Sequence, residues 1–436
     1  MIAAWAVAVV QATTGAGVLA VRLAAPERPA GAVAAPRGDH AVQAAGDPEA
    51  VARQAALGSL LIRRAGALLR RDRTAFLAGV DPGTRFSRAQ ARLFDALTDV
   101  PLTGVSYELD QARSLDLPAT VADRYDAPTW AGAVRLRYAL RGYDSTPTAQ
   151  DQYLTFVRRG ARWYLASDAD FDVAGRPSAR GLWDFGRVAA LRTERVLVLG
   201  HPGSLSLMRR ILWAADAAVP RVTAVWRDWP GTVVVLVPDS AEELRRVVGH
   251  TGDLSQIAAV ASADAGIDGG PPAGERVAVN PGPFRSLSWF GRQVVLQHEI
   301  THVATRDVTS QNTPYWLAEG FADYVGYLGS GTTVGSAAQE LAAEVAAGRV
   351  PRELPTRADF AGDNARLAQA YEMSWLACRL IAQRIGKAGL VRFYRTVSSA
   401  PGDPDTALAA GLRSELGLTP GEFVAAWRAE LRRELG

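Results

Sequence analysis

The run "RQVVLQHEITHVATRD", residues 292–307, sets three ionisable side chains, His298, Glu299 and His302, among uncharged neighbours from Gln293 to Thr305. On a helix, His298 and His302 stand one turn apart on one face, and Glu299 lies about 100° around from His298. Burying such groups unpaired is costly, so the fold must give them partners. One metal ion does this. Imidazoles at i and i+4 ligate Zn²⁺ at roughly 2.0–2.1 Å, and a glutamate beside them can serve as general base without ligating. The competing reading is a buried structural helix with hydrogen-bonded histidines. Only five histidines occur in 436 residues, so the spacing does not arise from a His-rich background.

A catalytic zinc holds three protein ligands and an open position. The next helical stretch, "NTPYWLAEGFADYVGYL", carries Glu319 and, one turn on, Asp323. Both project the same way from an apolar, aromatic helix, where solvation does not account for them. Pro314 suits the first helical turn, with Thr313 as N-cap. A metzincin site would need H-E-x-x-H-x-x-G-x-x-H, and "HEITHVATRDV" has neither the glycine nor the third histidine.

These motifs resemble the gluzincin metallopeptidases of the thermolysin-like clan, especially the bacterial peptidase MA-like proteins, whose H-E-x-x-H helix precedes a helix carrying E-x-x-x-D. The resemblance covers about 276–330, and the helical pattern extends it towards the C-terminus. It implies His298, His302 and Glu319 as zinc ligands, Glu299 as general base and Asp323 as the carboxylate orienting His298. Residues 303–318 put 16 residues between His302 and Glu319, fewer than in the best-known gluzincins, leaving little room for inserted specificity elements. "QAYEMSWLACRLIAQRIG" resembles the helix that follows the active site in that family. Tyr371 near its start could donate to an oxyanion, against a plain packing role and competition from Tyr324, Tyr327 and Tyr394. "RVAVNP", 276–281, is a strand, either an edge able to bind extended peptide or an ordinary core strand.

Residues 2–21 form an apolar run long enough to cross a bilayer at about 1.5 Å per residue, weakened by Gln11, Thr13 and Thr14. Residues 1–22 are expected to be a membrane anchor first, a signal segment second and a buried helix third. The Pro-, Gly- and Ala-rich stretch 23–47 is a flexible tether. An anchor and tether suggest a place at the cell membrane with the catalytic part extracytoplasmic, or secretion if the segment is cleaved.

From residue 48 the pattern is helical. "VARQAALGSLLIRRAGALLRRDRTAFLAGV" spaces Leu57, Leu60, Leu61, Ala65, Leu68 and Leu69 along one stripe with arginines opposite, and "SRAQARLFDALTDV" follows. Strand patterns come next: "GVSYELD", "ATVADRY", "AGAVRLRYALRGYD", then a hairpin of 150–158 and 161–167 turning at Arg159–Gly160. Helices before a curved antiparallel sheet are similar to the NTF2-like (SnoaL-like) cone fold over 48–175, which implies an accessory domain. The region 185–436 opens with strands "RVLVLG" and "TVVVLVP" and the helix "SAEELRRVVG", and is helical from Ser288 onward. That is the zincin order. The fold class expected is α+β: membrane helix, NTF2-like cone, then a zincin-type metallopeptidase domain.

A single cysteine, Cys378, excludes internal disulfides and cysteine-built zinc sites; within "MSWLACRLIA" it reads as a core thiol. The 48 Lys and Arg are interspersed with 45 Asp and Glu, which argues against nucleic-acid binding. His40, His201 and His250 show no ligand spacing and are structural or exposed. The sequence therefore points to a membrane-tethered zinc metallopeptidase acting on peptide or protein. The alternatives are an envelope binding or assembly module with a structural metal, and ligand binding by the NTF2-like region.

Overall fold

The protein is represented by a computed structural model that describes residues 12–14, 48–249, 257–264, 273–361 and 364–436. The anchor and tether segments, His40 and His250 lie outside the described residues, apart from Ala12–Thr14, which forms a short strand, β1. Among the described residues no helix is long and apolar enough to cross a membrane.

The architecture is α+β, built on two sheets. Helices Pro48–Leu69, Arg73–Leu77 and Arg85–Ala96 pack beside a four-stranded antiparallel sheet. Its strands run in chain order: β2 (Leu102–Ser114), β3 (Thr129–Leu140), β4 (Thr148–Arg159) and β5 (Arg162–Ser167). The β4–β5 hairpin pairs Arg159 with Arg162 around Gly160, whose φ of 60° suits glycine. Leu57, Leu60 and Leu61 of the first helix meet Val134, Leu154, Phe156 and Leu165 of the sheet. Two expectations fail here. "ATVADRY" forms a helical turn, Ala119–Ala122, rather than a strand, because Pro118 opens it and its carbonyl accepts from Val121 and Ala122. Arg64, placed with the solvated arginines, is 7% exposed.

The second sheet has six strands in the order β1–β9–β10–β8–β7–β6. They are β6 (Ala189–Arg192), β7 (Val196–Gly200), β8 (Val233–Val237), β9 (Ala259–Asp264) and β10 (Ala273–Val279) with β1. β7, β8 and β10 run parallel, β6 is antiparallel to β7 and β9 to β10, and β1 pairs parallel with β9. Every residue of β7 and β8 is buried, as parallel strands covered on both faces require. The crossover between them is the helix Leu205–Thr223. "RVAV" belongs to β10, which lies between β9 and β8, so it is a core strand and not an edge. β9 escapes the sequence reading because "AVASAD" has little β propensity.

The C-terminal part is helical, with Trp289–Thr305, Tyr315–Gly326, Leu367–Ser399 (two helices meeting at a kink at Gly386, whose φ is 77°) and Pro420–Leu435 the longest elements. A Cβ on Gly320 would stand 2.2 Å from the Ser374 carbonyl oxygen, so the Tyr315–Gly326 and Leu367–Ser399 helices meet backbone to backbone there. The two sheets are joined by a buried ion pair. Arg276 of β10 donates through both terminal nitrogens, at 2.7 Å each, to Asp144 beyond β3. The connecting stretch 168–182 is fastened to β4, with Tyr153 N donating to Ser178 Oγ at 2.9 Å and Ala179 N to Asp151 O at 3.1 Å.

Candidate metal centre

The helix Trp289–Thr305 starts at Ser288, whose Oγ accepts from Gly291 N at 3.0 Å. Its middle is wholly buried from Val294 to His302. The hydroxyls of Thr301 and Thr305 donate back to the carbonyls of Gln297 (2.7 Å) and Thr301 (3.0 Å), so neither is stranded in the apolar packing. Gln297 donates to the Val325 carbonyl and ties this helix to Tyr315–Gly326. Pro314 is the N-cap of that second helix. Thr313 does not cap it, because its hydroxyl donates instead to Ser398 Oγ at 2.8 Å.

These two helices bring three of the expected residues together. His298 Nε2 and His302 Nε2 lie 2.9 Å apart, and Glu319 Oε2 is 3.4 Å from the first and 3.3 Å from the second. One ligand atom from each of the three falls within 4.8 Å of the others. Behind them, Asp323 Oδ1 sits 2.7 Å from His298 Nδ1. With Nδ1–H donating to Asp323, the His298 Nε2 lone pair is left facing Glu319 and His302.

His298, Glu299 and Glu319 are 0% exposed and His302 is 1% exposed. Neither carboxylate has a well-aligned donor, although the Ala261 backbone N–H acts on Glu299 and both imidazoles act on Glu319. Two imidazole nitrogens turned to one point beside a carboxylate so poorly satisfied are unfavourable as a core. As a donor set of two nitrogens and one oxygen, they fit Zn²⁺.

The electrostatics follow from burial and crowding. Burial opposes charge on His298, but Asp323 and Glu319 outweigh it and lift the ring to about 10. For Glu319 burial is outweighed by both histidines, and the carboxyl falls to about 2. Burial, reinforced by the Glu319 charge, raises Glu299 to about 8, and burial lowers His302. Two adjacent glutamates thus carry opposite preferences, Glu319 for the anion and Glu299 for the proton.

Tyr371 meets the His298 ring edge-on at 6.3 Å between centroids, and Phe360 covers Tyr371 at 5.1 Å. Of the competing tyrosines, Tyr394 is within 2.6 Å of Thr309 Oγ1 and Tyr327 packs on Trp375. His201 is structural: its Nε2 lies 2.6 Å from Glu243 Oε1 and its Nδ1 2.9 Å from the Arg187 carbonyl. Cys378 is a buried free thiol. Arg306 was missed by sequence reasoning. It is 7% exposed, its Nη2 lies 3.4 Å from the Ala261 carbonyl on β9, and its charge acts on Glu299 and Glu319. An arginine closing an apolar helix in "VATRD" looks like a solvated helix end, and nothing in the sequence marks it as buried.

No protein family and no curated protein matches the chain by sequence. Among solved structures, a variant of a two-domain M1 zinc metallopeptidase bound to L-arginine is similar at 14% identity and a TM-score of 0.33, covering 69% of this chain and 61% of that one. An M1 zinc metallopeptidase from Deinococcus radiodurans is similar at 16% identity and a TM-score of 0.30, covering 68% and 60%. The chain thus spans about three fifths of the length of these neighbours.

Proposed function

We propose that the chain is a zinc-dependent metallopeptidase of gluzincin type, held at the cell membrane by residues 1–22 with its catalytic part outside the cytoplasm. If that segment is cleaved, the protein is secreted. Residues 48–175 are an NTF2-like accessory region, and 185–436 carry the peptidase site. The observation that carries the reading is the buried convergence of His298, His302 and Glu319 beside the buried Glu299 carboxylate.

His298, His302 and Glu319 would hold the ion, and Asp323 fixes the His298 tautomer. When bound, Zn²⁺ polarises the scissile carbonyl and acidifies water. Glu299 takes a proton from the attacking water and returns it to the leaving nitrogen. Tyr371, against His298, is the side chain proposed to donate to the carbonyl oxygen as charge develops there. The near-zero exposure of the whole cluster favours a second reading, an envelope binding or assembly protein with a structural metal. Glu299 weighs against it, since metal retention alone has no need of a general base.

The test is zinc content alongside hydrolysis of a mixed peptide library. The wild type should hold about one zinc per chain and cleave peptides. Glu299→Gln should keep the zinc and lose about 10²–10⁴-fold in turnover. A protein without zinc, or Glu299→Gln losing as much metal as His298→Ala, would overturn the assignment.

A further inference from the structure

The first region holds a cavity unconnected with the metal centre. Its volume is about 70 Å³, small beside the roughly 300–1,000 Å³ of drug-sized sites, so it suits only a compact ligand. The walls are largely apolar, with Leu68, Leu93, Leu136, Leu154, Tyr107 and Trp183 among them. One cation faces it. Arg64 is 7% exposed, its guanidinium sits over Phe76 with Cζ 3.8 Å from the ring centroid, and its Nη2 donates to Gln90 Oε1. Nη1 is buried and has no hydrogen-bond partner.

The acids of the same cavity are already engaged. Arg180 lies 3.1 Å from Asp168 and 3.6 Å from Asp184, and Asp184 also accepts from Gly181 N at 2.8 Å. No carboxylate among the described residues pairs with Arg64. A buried guanidinium seated over an aromatic ring, with Nη2 occupied and Nη1 unpartnered, is a preorganised half of a charge-assisted pair. The missing half is an anion that tolerates apolar walls. A phosphate dianion fits poorly, because Arg64 is the one cation lining the cavity among the described residues and nearby Arg180 is taken up by two aspartates.

We propose that this cavity binds a small monocarboxylic acid with an apolar or aromatic body, its carboxylate on Arg64 Nη1 and its body among Leu93, Leu136, Leu154 and Trp183. The site is independent of the metal centre, so either assignment can fail without the other.

The test uses the full chain with 4-fluorobenzoate and octanoate as probes, against the neutral 4-fluorobenzamide and octanol, followed by calorimetry and by the fluorine signal of the two fluorinated compounds. The acids should bind one per chain, at least about tenfold more tightly than their neutral counterparts, since a charge-assisted bond in a dry pocket is worth that much. Arg64→Leu should abolish the preference for acid. Leu136→Trp, which fills the cavity and leaves Arg64 in place, should abolish binding of acid and neutral compound alike; it decides the matter if Arg64→Leu does not fold. Equal binding of acid and amide, unchanged binding by Leu136→Trp, or no binding of either acid at millimolar concentration would overturn the proposal.

Discussion

Asp323 decides which nitrogen of His298 is offered to the cluster. Its Oδ1 lies 2.7 Å from Nδ1, while Nε2 faces Glu319. Removing that carboxylate frees the ring to rotate or change tautomer without deleting a ligand. Asp323→Ala is therefore expected to weaken zinc affinity, or peptide hydrolysis, by about 10–100-fold. Glu319→Ala should remove the metal outright. Zinc titration of the two variants separates the roles, and equal, complete loss in both would make Asp323 a ligand itself. These positions were legible because i, i+4 spacing is a geometric statement once a helix is granted. Arg64 and Arg306 were not. An arginine next to an apolar stripe looks the same whether its head reaches water or turns inward, and the direction is set by elements distant in sequence: Gln90 for Arg64 and β9 for Arg306.

The Tyr315–Gly326 helix places Glu319 only because it lies unusually close to Leu367–Ser399, and Gly320 permits that. A methyl group there would stand 2.2 Å from the Ser374 carbonyl oxygen and 2.5 Å from its carbon, backbone atoms that move only if a helix moves. Gly320→Ala should destabilise the protein by about 1–3 kcal/mol, the usual range for overpacking, and lower its zinc content, since Glu319 is the adjacent residue. Wild-type melting and zinc content in that variant would show the contact to be softer than its geometry implies. Alternation and 3.6-residue periodicity report which face is buried, not how close two faces come. A second element-scale case is the joint between the end of β7 and the helix Ala241–Val248. The hydrogen bond that His201 donates to Glu243, against the cost of burial, raises the ring to about 9, with the Arg187 carbonyl and Asp239 adding to the effect. An unfolded histidine titrates near 6.5. A raised folded value means the contribution is full below about pH 6.5 and is lost as pH rises through about 9. His201→Gln should thus cost up to about 3 kcal/mol in urea unfolding at pH 6 and much less at pH 10. A cost that did not shrink with pH would point to packing rather than charge.

At the scale of the whole molecule, all the proposed ligands and the general base lie between His298 and Glu319, and the first region contributes none of them. That argues for a second region, 185–436, able to bind metal alone. The contact between the sheets argues that it would do so at reduced stability. Arg276 of β10 is 7% exposed and its charge is met by Asp144, 132 residues earlier in the chain. One hydrophobic cluster also runs from Val105, Tyr138 and Leu140 of the first region to Leu199 and Leu236 of the second. Breaking a buried pair by deleting one partner costs about 3–5 kcal/mol, because the remaining charge is left uncompensated. The fragment 185–436 should therefore bind about one zinc, unfold at a lower urea concentration than the full chain, and lose further stability on chelation, since metal binds the folded form. Asp144→Ala in the full chain should reproduce much of that loss without removing the first region. Pairing Asp144→Leu with Arg276→Met should recover most of it, because an apolar replacement leaves no buried charge behind. A fragment as stable as the full chain would mean that Arg276 reaches water once Asp144 is gone. A soluble but metal-free fragment, beside a zinc-bearing full chain, would mean that the first region completes the metal site.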